Sequence, residues 1–340
     1  MAQLIIDSSH FKHNLDLISS HLGSIDKLAL VLKDNAYGHG IKEIAKLARD
    51  YGIKSVFVKN EMEALMIQDE FEHITALYGS ISPTSPTNIY QTIHSIQMLK
   101  SISPQRGIEL KFNVGMNRNG LEIKQIQQAI QLILERKLKL VGVFSHNGYG
   151  DDGGDEMQKQ HQTSQEIKEQ ITYLASKLGF ELPRFHFLSS SGALRQEKIE
   201  EDLVRIGIAS YGYLCAPIPI ASKLKPIASL WAHQISKRTL EKEIKIGYSG
   251  AGVMPRDHVI STYDLGYGDG LLRLNEHHGR LTCAQGEEIL PRMSMDCFSC
   301  LSDQEKICVF DNAWKWAEIF GTTPYDILVK LSPSIPRSII

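Results

Sequence analysis

A chain of 340 residues, 42% hydrophobic and 22% charged, has room for about two domains and a composition that excludes extended disorder. Its formal net charge of −2 gives no electrostatic pull toward nucleic acid or an anionic membrane, and neither is expected as a partner. The opening MAQLIIDSSHFKHN lacks a basic segment leading into a long apolar stretch, and no apolar run approaches membrane-spanning length, so a cytoplasmic protein is expected. In chain order, a strand-like QLII (3–6) and a helical pattern, SHFKHNLDLISSHL (9–22), come first.

From about residue 28 to 208 one theme repeats: a short apolar run rich in β-branched residues, polar turn residues, then a longer helical pattern. The runs are LALVL (28–32), SVFV (55–58), ITALY (74–78), SIQML (95–99), IELKFNV (108–114), LVGVFS (140–145), FHFLS (185–189) and LVRIGI (203–208). Between them, IKEIAKLARDYG puts Ile41, Ile44, Ala45 and Ala48 on one helical face, and LEIKQIQQAIQLILERK does the same with Ile123, Ile126, Ile130 and Ile133. Eight strands alternating with helices predict an α/β fold, a (β/α)8 TIM-type barrel. The alternative, an open doubly wound sheet, is disfavoured because the first strand-to-helix turn carries no G-x-G-x-x-G fingerprint.

After residue 215 the texture changes to Pro217, Pro219 and Pro226, then short apolar stretches separated by glycines, which predicts a C-terminal mainly-β domain. The expected division is 1–10 as a strand associated with the β-domain, 11–215 as the barrel, and 216–340 as the β-domain. Cys215, Cys283, Cys297, Cys300 and Cys308 are odd in number and scattered, which favours reduced thiols over a disulfide framework. Cys297 and Cys300 form a C-x-x-C without a second pair or a histidine set, so no metal site is expected there.

In such a barrel, polar groups at the C-terminal ends of strands meet above one mouth. Lys33 ends the first run, Lys111 and Asn113 the fifth with Arg118 just beyond, Ser145 and His146 the sixth, and Ser189 and Ser190 the seventh; Arg205 lies in the eighth, before Gly207. Two lysines, two arginines and a histidine suit an anionic ligand. Lys33 alone reads equally well as a snorkelling surface charge. A desolvated lysine among other cations, by contrast, loses affinity for its proton and becomes a nucleophile able to form a Schiff base. Such a lysine beside a phosphate site implies pyridoxal 5′-phosphate, and the segment GIA (207–209), with hydroxyls at Ser190, Tyr37 and Tyr325, offers a phosphate cradle. The same RIGIASYGY segment (205–213) also reads as a plain strand end and turn.

The chain resembles the bacterial alanine racemases through nearly its whole length. VLKDNAYGHG (31–40) is similar to that family's cofactor-lysine motif, and GYSG (247–250), GYGDG (266–270) and RMSMD (292–296) follow in the family's order and intervals. The resemblance implies a pyridoxal-phosphate barrel, a C-terminal β-domain and a homodimer with shared active sites. It also implies interconversion of L-alanine and D-alanine, supplying D-alanine for peptidoglycan synthesis. By the same resemblance Lys33 bonds the cofactor and is the base on one face, while Tyr248 of the other subunit is the base on the opposite face. Tyr37, Ser190, Gly207, Ile208 and Tyr325 would hold the phosphate, His146 would sit beside the ring, and Arg205 would face the pyridine nitrogen. Arg118 would hold the substrate carboxylate with Met295 approaching from the second subunit, and Lys111 matches a position that the family often carbamylates. Asp151, Tyr267, Arg273 and Arg292 would line the corridor leading to the cofactor, and Tyr325 would narrow the pocket toward alanine.

Two of these roles have a physical rationale. A guanidinium holds its proton to a pKa above about 12, so a ring nitrogen facing Arg205 stays unprotonated, and the shorter-lived carbanion suits reprotonation without side reactions. A tyrosine with an ordinary pKa near about 10 needs cationic neighbours or a coupled histidine to act as a base, and Arg205 and His146 are the candidates for Tyr248. Without the resemblance, Tyr248 reads as a strand tyrosine packed between glycines.

Three departures stand out: NGYGDD after His146 where the family usually has a Phe-Ala-containing segment, Asn113 where an aspartate is common, and Ser189 in place of a usual asparagine. A non-catalytic pyridoxal-phosphate carrier and a related decarboxylase are the competing readings. The first lacks a β-domain bearing GYSG and RMSMD, and the second carries a C-terminal cysteine motif that is not evident here.

Overall fold

The computed structural model describes residues 1–104 and 106–340. They group into two compact units, one of Phe11–Asp34 and Ile44–Lys225, the other of Met1–His10, Asn35–Glu43 and Pro226–Ile340.

The first unit is a parallel eight-stranded sheet in the order Arg184–His186, Lys139–Phe144, Gly107–Lys111, Ile89–Ile93, His73–Ala76, Ser55–Val58, Leu28–Val31, Val204–Ile206. Its two edges meet through a single parallel bridge, Ser189 to Arg205, with the Arg205 amide donating to Leu188 O at 3.2 Å, which makes the barrel nearly closed. The (β/α)8 expectation holds. Five of the strands are buried at every position, as expected where helices cover the outside and side chains fill the inside. The covering helices bury the faces their periodicity marks: Ile41, Ile44, Ala45 and Ala48 on Ile41–Tyr51, and Ile126, Ala129, Ile130 and Ile133 on Ile126–Glu135.

One predicted strand is wrong. SIQML belongs to the helix Ile96–Ser101, and the strand is IYQTI, Ile89–Ile93, immediately before it. Ser95 caps that helix by accepting from the Met98 amide at 3.3 Å, and Ile96 and Leu99, three apart, are its buried residues. The β-branched Ile89, Thr92 and Ile93 lie in the true strand.

The second unit is mainly β. Its long strand Ala228–Leu240 pairs antiparallel with Gln3–Ile6, His258–Tyr263 and Lys306–Phe310. Gln3–Ile6 also pairs in parallel with Arg337–Ile339, so the two chain ends lie side by side in one sheet. Two short helices, Trp314–Ile319 and Pro324–Val329, follow the strand Lys306–Phe310. Among the described residues no helix is long and apolar enough to cross a membrane.

Candidate active site

Lys33 stands two residues beyond the strand Leu28–Val31 and opens the short turn Lys33–Tyr37. That turn is left-handed: Asp34, Asn35, Ala36 and Tyr37 have φ of 53°, 56°, 52° and 53°. Left-handed backbone costs roughly 1–2 kcal/mol per residue and is rare in succession, so the surroundings must hold it. They do so with the Lys59 ammonium on Asp34 at 2.7 Å, the Ile41 amide on Asn35 Oδ1 at 2.8 Å, and the Gly40 amide on Asn35 O at 3.0 Å. The result fixes where Lys33 leaves the strand. Its amine is half-buried and held below the usual lysine range, first by burial and then by the charges of Arg118 and Lys59, against the opposing pull of Asp34 and Glu63.

Strand ends bring further cations to the same mouth. Lys111 is buried, with its ammonium on Asn119 Oδ1, and burial followed by Arg118, Arg205 and Lys33 pushes its amine down to about 7. His146 is pushed down to about 3 by burial and then by Arg205, Arg118, Lys111 and Lys33, which leaves it neutral. Arg205 donates to His186 Nδ1 at 2.8 Å, to His186 O and to Ser145 O at 2.5 Å, and its guanidinium lies 4.9 Å from the centre of the Phe144 ring. Burial lowers its pKa to about 10 against the support of Glu109 and Glu201, so it stays charged. Arg118 is exposed, on a loop shaped by Asn113.

At the seventh and eighth strand ends, Ser190 opens the helix Ser190–Leu194, and its hydroxyl accepts from the Gly207 amide at 3.1 Å. Gly207 leads into the one-turn 3-10 helix Ile208–Tyr211, whose residues are buried. Ser145 Oγ, also buried, has no hydrogen-bond partner among the described residues. A nucleophilic amine, surplus positive charge and an unsatisfied hydroxyl fit a compact anionic cofactor.

The remaining expected residues lie in the other unit. The rings of Tyr37 and Tyr325 are 6.2 Å apart, and Tyr325 stands on the helix Pro324–Val329. Tyr248 and Met295 are exposed, at 57% and 54%. Tyr248 follows Gly247 and precedes Ser249, which have φ of 70° and 58°. Arg273 lies over the Tyr267 ring at 5.2 Å, whereas Arg292 is engaged by Glu276, Nε to Oε2 at 2.7 Å, with its second nitrogen on Oε1.

Comparison with known proteins decides the family. The model of the alanine racemase N-terminal domain matches residues 6–215, and that of the alanine racemase C-terminal domain matches residues 227–339. The chain belongs to the alanine racemase family. It is 40% identical over 340 residues to the alanine racemase of Campylobacter concisus, and 37% identical over 340 residues to that of Campylobacter jejuni subsp. jejuni, covering all of each chain. An alanine racemase of Bacillus anthracis, solved with bound L-Ala-P, is similar in fold at a TM-score of 0.85 and 24% identity, over all of this chain and 95% of that one. One from Clostridium difficile has a TM-score of 0.85 at 21% identity, with the same coverage.

Two departures from the family pattern have local accounts. Asn113 Oδ1 accepts from the Gly115 and Asn117 amides at 3.2 and 3.0 Å, while its Nδ2 donates to Asn117 Oδ1 at 2.9 Å and to Glu122 Oε1 at 3.1 Å. An aspartate could not donate to Glu122, so the asparagine goes with that neighbour. In NGYGDD, a Cβ on Gly150 would lie 2.9 Å from the Gly192 amide nitrogen, and Arg195 donates to Gly150 O at 2.7 Å. The same arginine donates to Asp151 O, and the Asp151 carboxylate accepts from Ser191 Oγ. Asp151 is thereby part of a folded loop. Nothing in the structure explains Ser189, whose side chain makes no capping hydrogen bond.

Sequence reading missed what lies deeper inside the barrel. Glu109 and His186, both fully buried, face each other at 3.0 Å, Oε2 to Nε2, beneath Arg205. The available signal was a carboxylate inside IELKF and a histidine inside FHF, two ionisable groups in apolar strands.

Proposed function

We propose that this member of the alanine racemase family interconverts L- and D-alanine by a two-base route on pyridoxal 5′-phosphate, as a cytoplasmic homodimer. It is an isomerase acting on alanine, in keeping with full-length relatives of that name at 37–40% identity. The observation that carries the reading is Lys33: a lysine in a family-type motif, with its amine made more nucleophilic by burial and by Arg118 and Lys59.

Lys33 would hold the cofactor. Ser190 and the backbone of Gly207 and Ile208, joined by Tyr37 and Tyr325 on the family pattern, would hold its phosphate. When bound, the cofactor withdraws electrons from the substrate's α-carbon, chemistry that no protein side chain supplies. Arg118 binds the substrate carboxylate, and its exposure leaves the guanidinium open to a ligand. Lys33 Nζ then removes or returns the α-proton on one face, and Tyr248 Oη of a second copy does so on the other. Met295 of that copy limits the space for the side chain. On the family pattern His146, held neutral, would sit beside the cofactor ring without adding charge, and Arg205 would face the ring nitrogen as a donor that cannot surrender its proton. Lys111, near half-neutral at pH 7, is chemically suited to carbamylation, which would convert an uncomfortable cation into an anion beside Arg118. Tyr267, Arg273, Arg292 and Asp151 belong to the corridor on the family pattern.

A chiral assay of the cofactor-loaded protein across several amino acids, with visible absorption recorded before and after borohydride, tests both parts. D-alanine formation from L-alanine, with loss of the visible band on reduction, is expected. Absence of both refutes the reading.

A further inference from the structure

Inside the barrel, beneath the mouth, the strand Gly107–Lys111 carries Glu109, the only described acidic residue with no exposed side-chain surface. Its two oxygens have different work. Oε1 accepts from Thr75 Oγ1 at 3.0 Å and lies 3.5 Å from Arg184 Nη2, while Oε2 lies 3.0 Å from His186 Nε2, a close polar contact rather than a well-aligned hydrogen bond, and neither of these last two buried atoms has a hydrogen-bond partner among the described residues. On the far side of the imidazole, His186 Nδ1 lies 2.8 Å from Arg205 Nη1.

The proton positions follow from the donors. Arginine has no acceptor, so Nδ1 must be bare to receive its hydrogen bond, and the single proton of a neutral imidazole must sit on Nε2. A carboxylate and a bare nitrogen 3.0 Å apart would repel, so that proton is what makes the Glu109 contact tolerable. Burial would raise the Glu109 carboxyl, but His186, Arg184 and Thr75 outweigh it and keep it ionised; burial pushes His186 down to about 4, so it is neutral. The array runs from a buried anion, through an oriented imidazole, to a buried cation.

An independent feature of the neighbouring strand fits this array. Gly142 pairs with Glu109 in register, and a Cβ there would stand 2.9 Å from the Glu109 carboxyl carbon and 3.0 Å from His186 Nε2. Gly142 is not among the positive-φ glycines, so space is its reason for being glycine.

We infer that Glu109 is a positioning residue for racemisation: its carboxylate fixes His186 as the Nε2–H tautomer, which leaves Nδ1 to hold the Arg205 guanidinium at the barrel mouth. This rests on the racemase reading given above for the role of Arg205. Glutamine cannot replace it, because the Thr75 and Arg184 side and the His186 side both need acceptors, and an amide supplies one acceptor and one donor. Outer partners that orient a metal-bound imidazole are worth about tenfold to a hundredfold in activity, and a loss of that order is expected for an imidazole that orients Arg205.

The test uses the full chain loaded with pyridoxal 5′-phosphate and labelled with 15N-histidine, His186 being assigned by difference from a His186→Gln variant. Long-range 1H–15N spectra are expected to show His186 as the Nε2–H tautomer from pH 6 to 9. An Nδ1–H tautomer or an imidazolium in the wild-type protein overturns the inference without any variant. Glu109→Gln is expected to lower kcat about tenfold to a hundredfold with KM for alanine within about threefold, and to change the His186 nitrogen shifts. Gly142→Ala should do the same by wedging the pair apart. A folded Glu109→Gln protein with wild-type kcat and unchanged His186 shifts overturns the inference. Should that variant fail to fold, Gly142→Ala and the wild-type spectrum decide. Lack of alanine racemisation by the wild-type protein refutes the functional reading instead, and the spectrum still judges the array.

Discussion

Gly38 joins the left-handed turn after Lys33 to the helix that carries Tyr325, and substituting it tests how the cofactor segment is seated. Its φ is +84°, and a Cβ there would lie 1.9 Å from Leu328 O and 2.8 Å from the carbonyl carbon of Leu328. Its own carbonyl accepts from Arg337 Nη2 at 3.0 Å, which opposes any outward shift. Gly38→Ala therefore costs about 1–2 kcal/mol for left-handed backbone and about 1–3 kcal/mol for overpacking against a backbone carbonyl, less about 0.4–1 kcal/mol gained by stiffening the unfolded chain. The net expectation is a loss of about 1–5 kcal/mol. All three tryptophans, Trp231, Trp314 and Trp316, lie in the same unit as Gly38, so urea unfolding followed by tryptophan fluorescence reads that unit directly. Gly179→Ala is the comparison: it too has positive φ, +72°, at the end of the helix Gly154–Leu178, but nothing lies within 4 Å of the added methyl. Circular dichroism should show a loss there of no more than about 1 kcal/mol. Gly38→Ala should also weaken retention of pyridoxal phosphate, since Tyr37 and Tyr325 meet across that contact. A Gly38→Ala protein no less stable than Gly179→Ala, with unaltered cofactor retention, would refute the reasoning.

Arg106, buried, donates to the carbonyls of Ser82, Pro83, Ser85, Pro86 and Ile89 at 2.9–3.3 Å, and Arg106→Lys is expected to cost about 2–4 kcal/mol by urea denaturation because an ammonium cannot span five acceptors. Lys111 binds its proton less tightly in the folded chain, at about 7, than its ordinary value of 10.5, so the unfolded chain carries the extra proton between those limits and stability rises with pH through that window. Replacing it by methionine removes this dependence: in carbon-dioxide-free buffer the Tm of Lys111→Met minus that of wild type should fall as pH rises from 7 to 10, and a constant difference would contradict the assignment. Lys33→Ala and Tyr248→Phe should each be inactive as racemases yet regain part of the activity when their subunits are exchanged; no recovery in demonstrably mixed dimers would exclude a shared site.

Much of the fold was legible because the barrel repeats one pattern: β-branched runs marked seven of the eight strands, and helical faces such as Ile41, Ile44, Ala45 and Ala48 marked the covering layer. SIQML misled because Ile96 and Leu99 suit either period, and the capping role of Ser95 is decided by three-dimensional context. Lys33, Lys111, His146 and Arg205 were readable as basic residues at or near strand ends, since a barrel delivers such positions to one mouth. The left-handed turn was not: Asp34 and Asn35 tolerate that backbone, but Ala36 and Tyr37 do not advertise it, and it exists because Lys59 and Ile41 grip it from outside the motif. Glu109 and His186 were hidden for a similar reason. Each looks like an interruption of a strand until the fold brings them together beside Gly142, Glu109 by register and His186 by proximity, with His186 holding Arg205.

The central claim is that Lys33 on one face and Tyr248 of a second copy on the other exchange the α-proton of alanine. Incubating the cofactor-loaded protein with L-alanine in deuterated water, and following chirality and α-deuterium together, tests it most directly. Wild type is expected to yield D-alanine carrying α-deuterium, and Tyr248→Phe to lose α-proton exchange selectively from one enantiomer. Wild-type protein that yields neither D-alanine nor α-deuterium, or a Tyr248→Phe protein that exchanges both enantiomers at the wild-type rate, would contradict it.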